Sequence, residues 1–221
     1  MSQKITPIKP FIIMMYGFPG SGKTAFARQM SEELGVVHLQ EDKIRHDLFG
    51  DNISPGAFKG SRKVMNYMAE DYLRSGISII YDAGVVRDSE RRKVREIAHN
   101  TKATPLLIWL QADPETTFER TQKRDKRKAD DRYSLEYDEQ TYRNILTHMQ
   151  NPNLTEDYTV VSAKHTFSSQ RSAVSKKLFD LHLISSDEVS SNTVKPGLTN
   201  LVPKTPINLR GDMIHRNISI R

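Results

Sequence analysis

The chain has 221 residues, a formal net charge of +6 and no cysteine. This length suits one α/β domain with an appendage and leaves room for a sizeable core. The lack of cysteine excludes disulfides, thiolate metal sites and cysteine nucleophiles, and it is compatible with the reducing cytoplasm. The N-terminal apolar run is too short for a signal sequence or a membrane span. We therefore expect a cytoplasmic protein with no membrane partner.

The positive charge is compatible with phosphorylated or nucleic-acid partners. A solvated basic surface explains the same charge. The seven histidines are scattered, with no pair at the spacing of metal ligands. We therefore predict no transition-metal site built by the protein.

In the first part of the chain, strands alternate with helices. A strand over 11–16 precedes a helix over 23–34, which Gly35 ends as a left-handed cap. A strand over 36–39 and a short helix over 44–49 follow. Ser54 and Pro55 begin the next helix as N-cap and first helical residue, and this helix ends near 76. An apolar strand over 77–82 then ends in an acid.

The second part continues the alternation. We predict a helix over 88–99, a strand over 104–110, a helix capped by Asp113, a helix over 137–150, a strand over 158–162 and a helix over 168–183. Five strands separated by helices predict the α/β class, with a parallel sheet covered by helices on both faces. Ligands of such sheets bind beyond the carboxyl ends of the strands.

We assign residues 1–184 to this domain and 185–221 to a C-terminal tail, which is rich in Ser, Asn, Thr and Pro. Two interpretations of the tail stay open. It is either a disordered appendage or an extended arm that packs on its own domain or on a second subunit of an oligomer. The anchors of such an arm would be Leu198, Leu201, Val202, Ile207, Leu209, Met213, Ile214 and Ile218.

The clearest motif lies between the first strand and the first helix and reads Gly17-Phe18-Pro19-Gly20-Ser21-Gly22-Lys23-Thr24. This G-x-x-x-x-G-K-T pattern, in this context, predicts a loop that binds nucleotide phosphates. Its glycines let backbone N–H groups approach phosphate oxygens, and the helix directs its positive end at them. Lys23 is expected to contact the β- and γ-phosphates, and Thr24 is expected to bind Mg²⁺. ATP and Mg²⁺ are the predicted cofactors.

Asp42 and Arg45 stand three residues apart just after the second strand. In a helical turn this spacing puts both side chains on one face. A carboxylate beside the transferred phosphoryl group can take the proton of an attacking hydroxyl, and an arginine can bind an anionic part of the acceptor. An ordinary ion pair on a helix surface is the alternative.

Asp82 ends an apolar strand, which is the usual position of an acid that binds Mg²⁺ directly or through water. The alternative is a strand-end acid that caps the following loop. Arginines follow it in the chain. We expect most of them on a solvated helix face, with Arg87 and Arg91 as candidates to face the acceptor.

A basic segment from Arg120 to Arg132 carries seven Lys or Arg residues. Such a run is often simply solvated. In P-loop kinases, however, the segment at this place is a mobile lid, whose arginines neutralise charge on the phosphoryl group. We place the lid at about 120–136 and choose Arg124 as the catalytic arginine, with Arg120 and Arg127 as competitors. Because the segment lacks apolar anchors, we expect nothing to hold it closed without ligand.

The chain resembles the small P-loop kinases related to the kinase domain of phage polynucleotide kinase, zeta toxins and chloramphenicol phosphotransferase, often grouped as AAA_33-type ATP-binding proteins. The resemblance covers about residues 11–150. It rests on Gly17–Thr24, Asp42-x-x-Arg45, Asp82 and the segment Glu119–Arg124. It implies a P-loop NTPase fold of three layers with a basic lid.

In polynucleotide kinase the matching aspartate is the general base, the matching arginine contacts the acceptor phosphate, and the lid arginine contacts ATP. The resemblance carries these roles to Asp42, Arg45 and Arg124. The sequence departs from the group at Ala83–Val85, where a Thr-Asn type of sequence is common. This departure leaves the acceptor contacts of that loop open.

We therefore expect a Mg²⁺-ATP-dependent kinase that transfers the γ-phosphoryl group to a hydroxyl acceptor, with a polynucleotide 5′-hydroxyl as one candidate. A small-molecule or zeta-toxin-type kinase is an alternative. A third interpretation is a nucleotide-dependent ATP-binding module that has no acceptor.

Overall fold

The structure is a computed structural model, and it describes residues 7–185. Within this range strands and helices alternate along the chain. Their order is β1 Phe11–Tyr16, α1 Lys23–Leu34, β2 Val37–Gln40, α2 Glu41–Phe49, α3 Pro55–Arg74, β3 Ile79–Asp82, α4 Asp88–Asn100, β4 Thr104–Gln111, α5 Pro114–Gln122, α6 Glu139–Thr147, β5 Tyr158–Ser162 and α7 Phe167–Asp180.

The five strands form one sheet in the order β2-β3-β1-β4-β5, and every neighbouring pair is parallel. The central strand β1 is buried along its whole length. A continuous apolar run of this kind is typical of a parallel strand that helices cover on both faces. The predicted α/β fold with a five-stranded parallel sheet is confirmed.

Side chains of β1 point alternately to the two faces of the sheet, because a strand has a side-chain period of two. Phe11, Ile13 and Met15 belong to a core cluster with residues of α1 and α7. Ile12, Met14 and Tyr16 belong to a second cluster, with residues of α3 and α4. The domain is therefore a sandwich of three layers, helix, sheet and helix.

Several element boundaries differ from the sequence-based prediction. The helix α2 begins at Glu41, directly after β2, whereas the prediction began it at residue 44. The strand β3 begins at Ile79 instead of residue 77. The helix α6 begins at Glu139 instead of residue 137 because Asp138 caps it, accepting from Thr141 N–H at 2.7 Å, and it ends at Thr147 instead of residue 150.

The predicted helix ends at Gly35, Ser54 and Asp113 are confirmed. Gly35 adopts φ 64°, the left-handed conformation of a C-terminal cap. Ser54 Oγ accepts from Ala57 N–H at 3.3 Å. Asp113 Oδ2 accepts from Thr116 N–H at 2.9 Å. The caps at Ser54 and Asp113 stabilise the starts of α3 and α5, because they satisfy N–H groups that have no partner within the helix.

The tail assigned to 185–221 lies, apart from Ser185, outside the described residues. Its two interpretations and the domain boundary at 184 therefore stay predictions. None of the helices within residues 7–185 is long and apolar enough to cross a membrane.

Candidate active site

In the glycine-rich loop after β1, the backbone lies very close to the backbone of neighbouring elements, and only glycine fits there. Gly17, Gly20 and Gly22 have φ values of 145°, 82° and 93°, which side-chain-bearing residues rarely adopt. A Cβ atom at Gly20 would lie 2.2 Å from the Thr117 carbonyl oxygen, and one at Gly17 would lie 2.5 Å from that of Leu110. The loop thus packs tightly against the end of β4 and against α5.

Lys23 and Ser21 provide polar groups suited to phosphate within this loop. Lys23 Nζ donates to the carbonyl oxygens of Gly17 and Phe18, both at 2.8 Å, so its ammonium group lies over the loop. Burial lowers the pKa of Lys23 to about 8, which leaves it mostly charged at pH 7. Ser21 Oγ is buried and, within residues 7–185, has no hydrogen-bond partner. These groups and the start of α1 fit the phosphates of ATP.

Asp82 lies at the carboxyl end of β3 and is 6% exposed. Its Oδ2 atom lies 3.2 Å from His38 Nε2 on the neighbouring strand β2. Asp82 and Thr24 line the same cavity. Carboxylate and hydroxyl oxygens are the ligands that Mg²⁺ prefers, so the two residues predicted to bind metal fit that role.

Asp42 lies in the first turn of α2 and lines this cavity with Lys23 and Asp82. Burial raises the pKa of Asp42 to about 6, and the nearby charge of Asp82 adds to the effect. Arg45 and Arg124 partly oppose this rise in the pKa. A carboxylate with a pKa near the working pH is suited to accept a proton during catalysis.

Arg45 is 3% exposed and makes backbone contacts instead of an ion pair with Asp42. Its Nη1 donates to the carbonyl oxygens of Asn52 at 3.1 Å and Gly50 at 3.3 Å. Arg45 therefore holds the connection between α2 and α3, and the surface ion pair considered from the sequence does not form. Its contact with an acceptor stays a prediction.

Arg91 and Arg87 occupy different environments. Arg91 is fully buried, and it donates to both carboxylate oxygens of Glu156, at 2.7 and 3.0 Å. It also donates to the carbonyl oxygen of Gln150 at 2.9 Å. The expectation that Arg91 faces an acceptor is wrong, because its guanidinium group joins α4 to the chain after α6. Arg87 is exposed at the start of α4, and its role stays a prediction.

Two of the three candidate lid arginines line the cavity, namely Arg120 and Arg124. The Arg124 side chain is 14% exposed, and Arg124 contributes to the lowered pKa of Lys23. Its Nη1 donates to the Leu135 carbonyl oxygen. Arg127 is 92% exposed and pairs with Asp125. The geometry therefore favours Arg124 over Arg127 as the arginine that faces the nucleotide.

The lid, placed at about 120–136, has specific contacts with the rest of the domain through its part between α5 and α6. Arg28 on α1 donates to both carboxylate oxygens of Asp130, at 2.7 and 3.2 Å. The ring of Tyr133 packs against that of His46 on α2, with 5.2 Å between centroids. The Lys43 ammonium group on α2 also lies 5.6 Å from the centroid of the Tyr133 ring. The expectation that nothing holds the lid closed without ligand is therefore wrong, because an ion pair ties it to α1 and the contacts of Tyr133 tie it to α2.

Sequence reasoning missed a pair next to Asp42. Arg62 on α3 donates to both carboxylate oxygens of Glu41 at 2.6 Å, and both residues line the cavity. Gln40 also lines it, at the end of β2. The acid pair Glu41-Asp42 was visible, but a partner 21 residues away on another helix leaves no local signal in the sequence.

The cavity has a volume of about 580 Å³ and brings together residues from many elements. Of the predicted site residues, it is lined by Gly17, Pro19, Gly20, Gly22, Lys23, Thr24, Asp42, Asp82, Arg120 and Arg124. Ser21 is buried within the same loop. Arg45 and Arg87 are not among the lining residues, although Asp42 on the same helix as Arg45, and Val86 next to Arg87 in the chain, line the cavity.

Comparison with known proteins identifies the family. The model of the AAA_33 family, described as an AAA domain, matches residues 12–152, which is well over half of the chain. The chain belongs to this family. The matched range includes the glycine-rich loop, Asp42, Asp82 and the lid.

Individual relatives are more distant. A shikimate kinase from Actinobacillus succinogenes is 27% identical over 123 residues, which are 52% of this chain and 65% of that protein. The chain thus matches less than two thirds of the length of this relative.

Two solved structures are similar in fold. Kti12 from Chaetomium thermophilum, solved with ADP-AlF3, has a TM-score of 0.62 at 18% identity. The match covers 79% of our chain and 100% of the Kti12 chain. The APS kinase of Mycobacterium tuberculosis, solved with AMPPNP and APS, has a TM-score of 0.58 at 18% identity. This match covers 77% of our chain and 98% of the APS kinase chain.

Proposed function

We propose that this chain is an ATP-dependent kinase that transfers the γ-phosphoryl group of ATP to a hydroxyl oxygen of an acceptor. One observation carries the proposal. Asp42, a carboxylate with a pKa raised to about 6, lines the same cavity as Lys23 and Thr24 of the glycine-rich loop. A base beside a phosphate-binding loop is the arrangement that phosphoryl transfer to a hydroxyl needs.

In this proposal each residue acts at a stated atom. Asp42 accepts the proton of the acceptor hydroxyl while that oxygen forms a bond to the γ-phosphorus. The bond from the γ-phosphorus to its bridging oxygen breaks, and ADP leaves. Lys23 and Arg124 stabilise the negative charge on the phosphoryl oxygens. Thr24 and Asp82 would hold Mg²⁺, which supplies charge neutralisation for the β- and γ-phosphates.

A small-molecule acceptor is favoured over a polynucleotide. The lid, tied to α1 through Arg28 and Asp130 and to α2 through Tyr133, contributes residues to the wall of a cavity of only about 580 Å³. Relatives named shikimate kinase and APS kinase support the same class. A polynucleotide 5′-hydroxyl and a zeta-toxin-type substrate, suggested by the resemblance in sequence, are the alternatives that the experiment must exclude.

The experiment is an acceptor screen with γ-labelled ATP and Mg²⁺. The acceptors are small alcohols, sugars, hydroxy acids, nucleoside derivatives and an oligonucleotide with a free 5′-hydroxyl. We expect label in a small phosphate ester, and no label with Lys23→Ala. Label only in the oligonucleotide would contradict the small-molecule assignment. ATP loss that no acceptor stimulates would favour a nucleotide-dependent binding module and contradict the kinase proposal.

A further inference from the structure

A second cavity, of about 400 Å³, lies between α3 and α4. It adjoins the first cavity, which Lys23 and Asp42 line and which we call the nucleotide cavity. The two cavities share Glu41, Phe58 and Arg62 as lining residues. The ion pair between Glu41 and Arg62 therefore forms part of the wall between them, directly next to Asp42 in the chain. We call this second space the α3–α4 cavity. Because the two cavities share these three lining residues, the α3–α4 cavity lies directly beside the space that Asp42 lines.

The charges that line the α3–α4 cavity are unevenly matched. Both carboxylate oxygens of Glu41 accept from Arg62, so these two charges offset each other. Glu90 Oε2 accepts from a backbone N–H. Within residues 7–185, Lys59 on α3 and Lys93 on α4 form no ion pair, although both line the cavity. Within residues 7–185 Glu90 also forms no ion pair, so three positive and two negative side chains line the cavity and leave a net positive charge. The ammonium groups of Lys59 and Lys93 lie on facing helices without a paired carboxylate.

The inner wall of this cavity is uncharged. Tyr81 is fully buried, and its hydroxyl donates to Asn66 Oδ1 at 2.6 Å. Burial raises the pKa of Tyr81 far above its ordinary value, so the phenol stays neutral. Val94 and Phe58 add apolar surface. An incoming ligand therefore meets a neutral inner wall, the ion pair of Glu41 with Arg62, the Glu90 carboxylate and two unpaired ammonium groups.

We infer that the acceptor carries an anionic group, a carboxylate or a phosphate, which Lys59 and Lys93 bind in the α3–α4 cavity. This inference rests on the proposed kinase function and names the class of its substrate. An anion between two ammonium groups offsets their mutual repulsion and gains charge-assisted hydrogen bonds. A space of about 400 Å³ is large enough for a carboxylate or phosphate group together with the part of the acceptor that carries it.

The test compares a double variant with a control that carries the same change in net charge. Lys59→Gln with Lys93→Gln removes both ammonium groups from the cavity. Lys63→Gln with Lys176→Gln removes two exposed ammonium groups that do not line it. The acceptors are hydroxyl compounds of equal length that end in a carboxylate, a phosphate or a neutral amide. The carboxylate and phosphate compounds separate the two sources of negative charge.

We expect the double variant to raise the KM for anionic acceptors by ~10-fold, because the charge pairs that two exposed lysines form with the acceptor are lost. The kcat, and the KM for the neutral amide, should change by less than ~2-fold, since Lys59 and Lys93 do not touch the reacting atoms. The control pair should behave as wild type with every acceptor. An equal effect on neutral and anionic acceptors would overturn the inference.

A binding measurement separates this inference from the kinase proposal. Inorganic phosphate is titrated by calorimetry into protein saturated with ADP and Mg²⁺, which occupies the glycine-rich loop. We expect wild type and the control pair to bind phosphate, and the double variant to bind it ~10-fold more weakly. Equal binding by all three proteins would overturn the anion site even if phosphoryl transfer occurs. Absence of transfer, together with the expected difference in phosphate binding, would contradict only the kinase proposal.

Discussion

The acid limb of the pH–rate profile provides a specific test of Asp42. Burial, and after it the charge of Asp82, raises the pKa of Asp42 to about 6. A general base works only when it is ionised. Activity that depends on Asp42 should therefore be complete well above pH 6 and should fall as the pH drops through about 6.

The size of the fall follows from the raised pKa of Asp42. A carboxylate with a pKa of about 6 is ~91% ionised at pH 7 and ~9% ionised at pH 5, so kcat/KM for the acceptor should drop ~10-fold between these values. A carboxylate with the ordinary aspartate pKa of ~3.9 would stay ~90% ionised at pH 5. The two cases differ by nearly an order of magnitude.

The assay measures initial rates from pH 5 to pH 7.5 at saturating Mg²⁺ and ATP, with circular dichroism at each pH to show that the protein stays folded. Asp42→Asn should retain a low rate without the limb at pH 6. Asp51→Asn, at an exposed position between α2 and α3, should keep the limb of wild type. A flat wild-type profile down to pH 5 would refute the reasoning that the environment of Asp42 tunes it as a base.

Changes at four further residues test the loop and the lid. Lys23→Ala should weaken ATP binding ~10–100-fold by calorimetry without unfolding the protein, because charged hydrogen bonds to the phosphates are lost; unchanged affinity would contradict the phosphate-binding assignment. Gly20→Ala should lower the Tm by at least ~2 °C, because its φ is 82° and its Cβ would lie 2.2 Å from a carbonyl oxygen, whereas Gly56→Ala, whose Cβ has ordinary contacts, should not. Arg124→Ala should reduce kcat more than ATP affinity, and Arg124→Lys should restore it only partly, because a point charge does not replace a planar fork; a normal kcat for Arg124→Ala would contradict the catalytic role of Arg124. Asp130→Asn should speed hydrogen exchange across the lid, because the contact with α1 is lost; exchange equal to that of wild type would show that this ion pair does not hold the lid.

The sheet and the phosphate-binding loop could be predicted because their signals are local. The apolar run Phe11–Tyr16, the glycine spacing after it and the helix that follows are adjacent in the chain. Each of these signals has one structural meaning, since a buried parallel strand and a left-handed glycine leave few alternatives. Asp42 and Asp82 could be placed near the loop for a related reason, because the carboxyl ends of parallel strands share one edge of the sheet.

The arginines could not be assigned from the sequence, because their partners are distant along the chain. Arg91 pairs with Glu156 and Arg62 pairs with Glu41, at separations of 65 and 21 residues. The spacing of residues in the sequence indicates which arginines share one face of a helix. It does not indicate which of these arginines contacts a buried carboxylate of another element. The contact between Asp130 and α1 was missed for the same reason, so the lid looked unattached.

The central claim is that Asp42 and the glycine-rich loop act together on the phosphoryl group, and a ³¹P NMR time course tests it most directly. ATP, Mg²⁺ and the best acceptor are followed with wild type and with Asp42→Asn, after calorimetry has shown equal ATP affinity. We predict a phosphate-ester signal that grows in step with ADP for wild type and grows ~10²–10⁴-fold more slowly for Asp42→Asn. An ester signal that grows equally fast with Asp42→Asn, or ATP converted only to inorganic phosphate by wild type, would contradict the account.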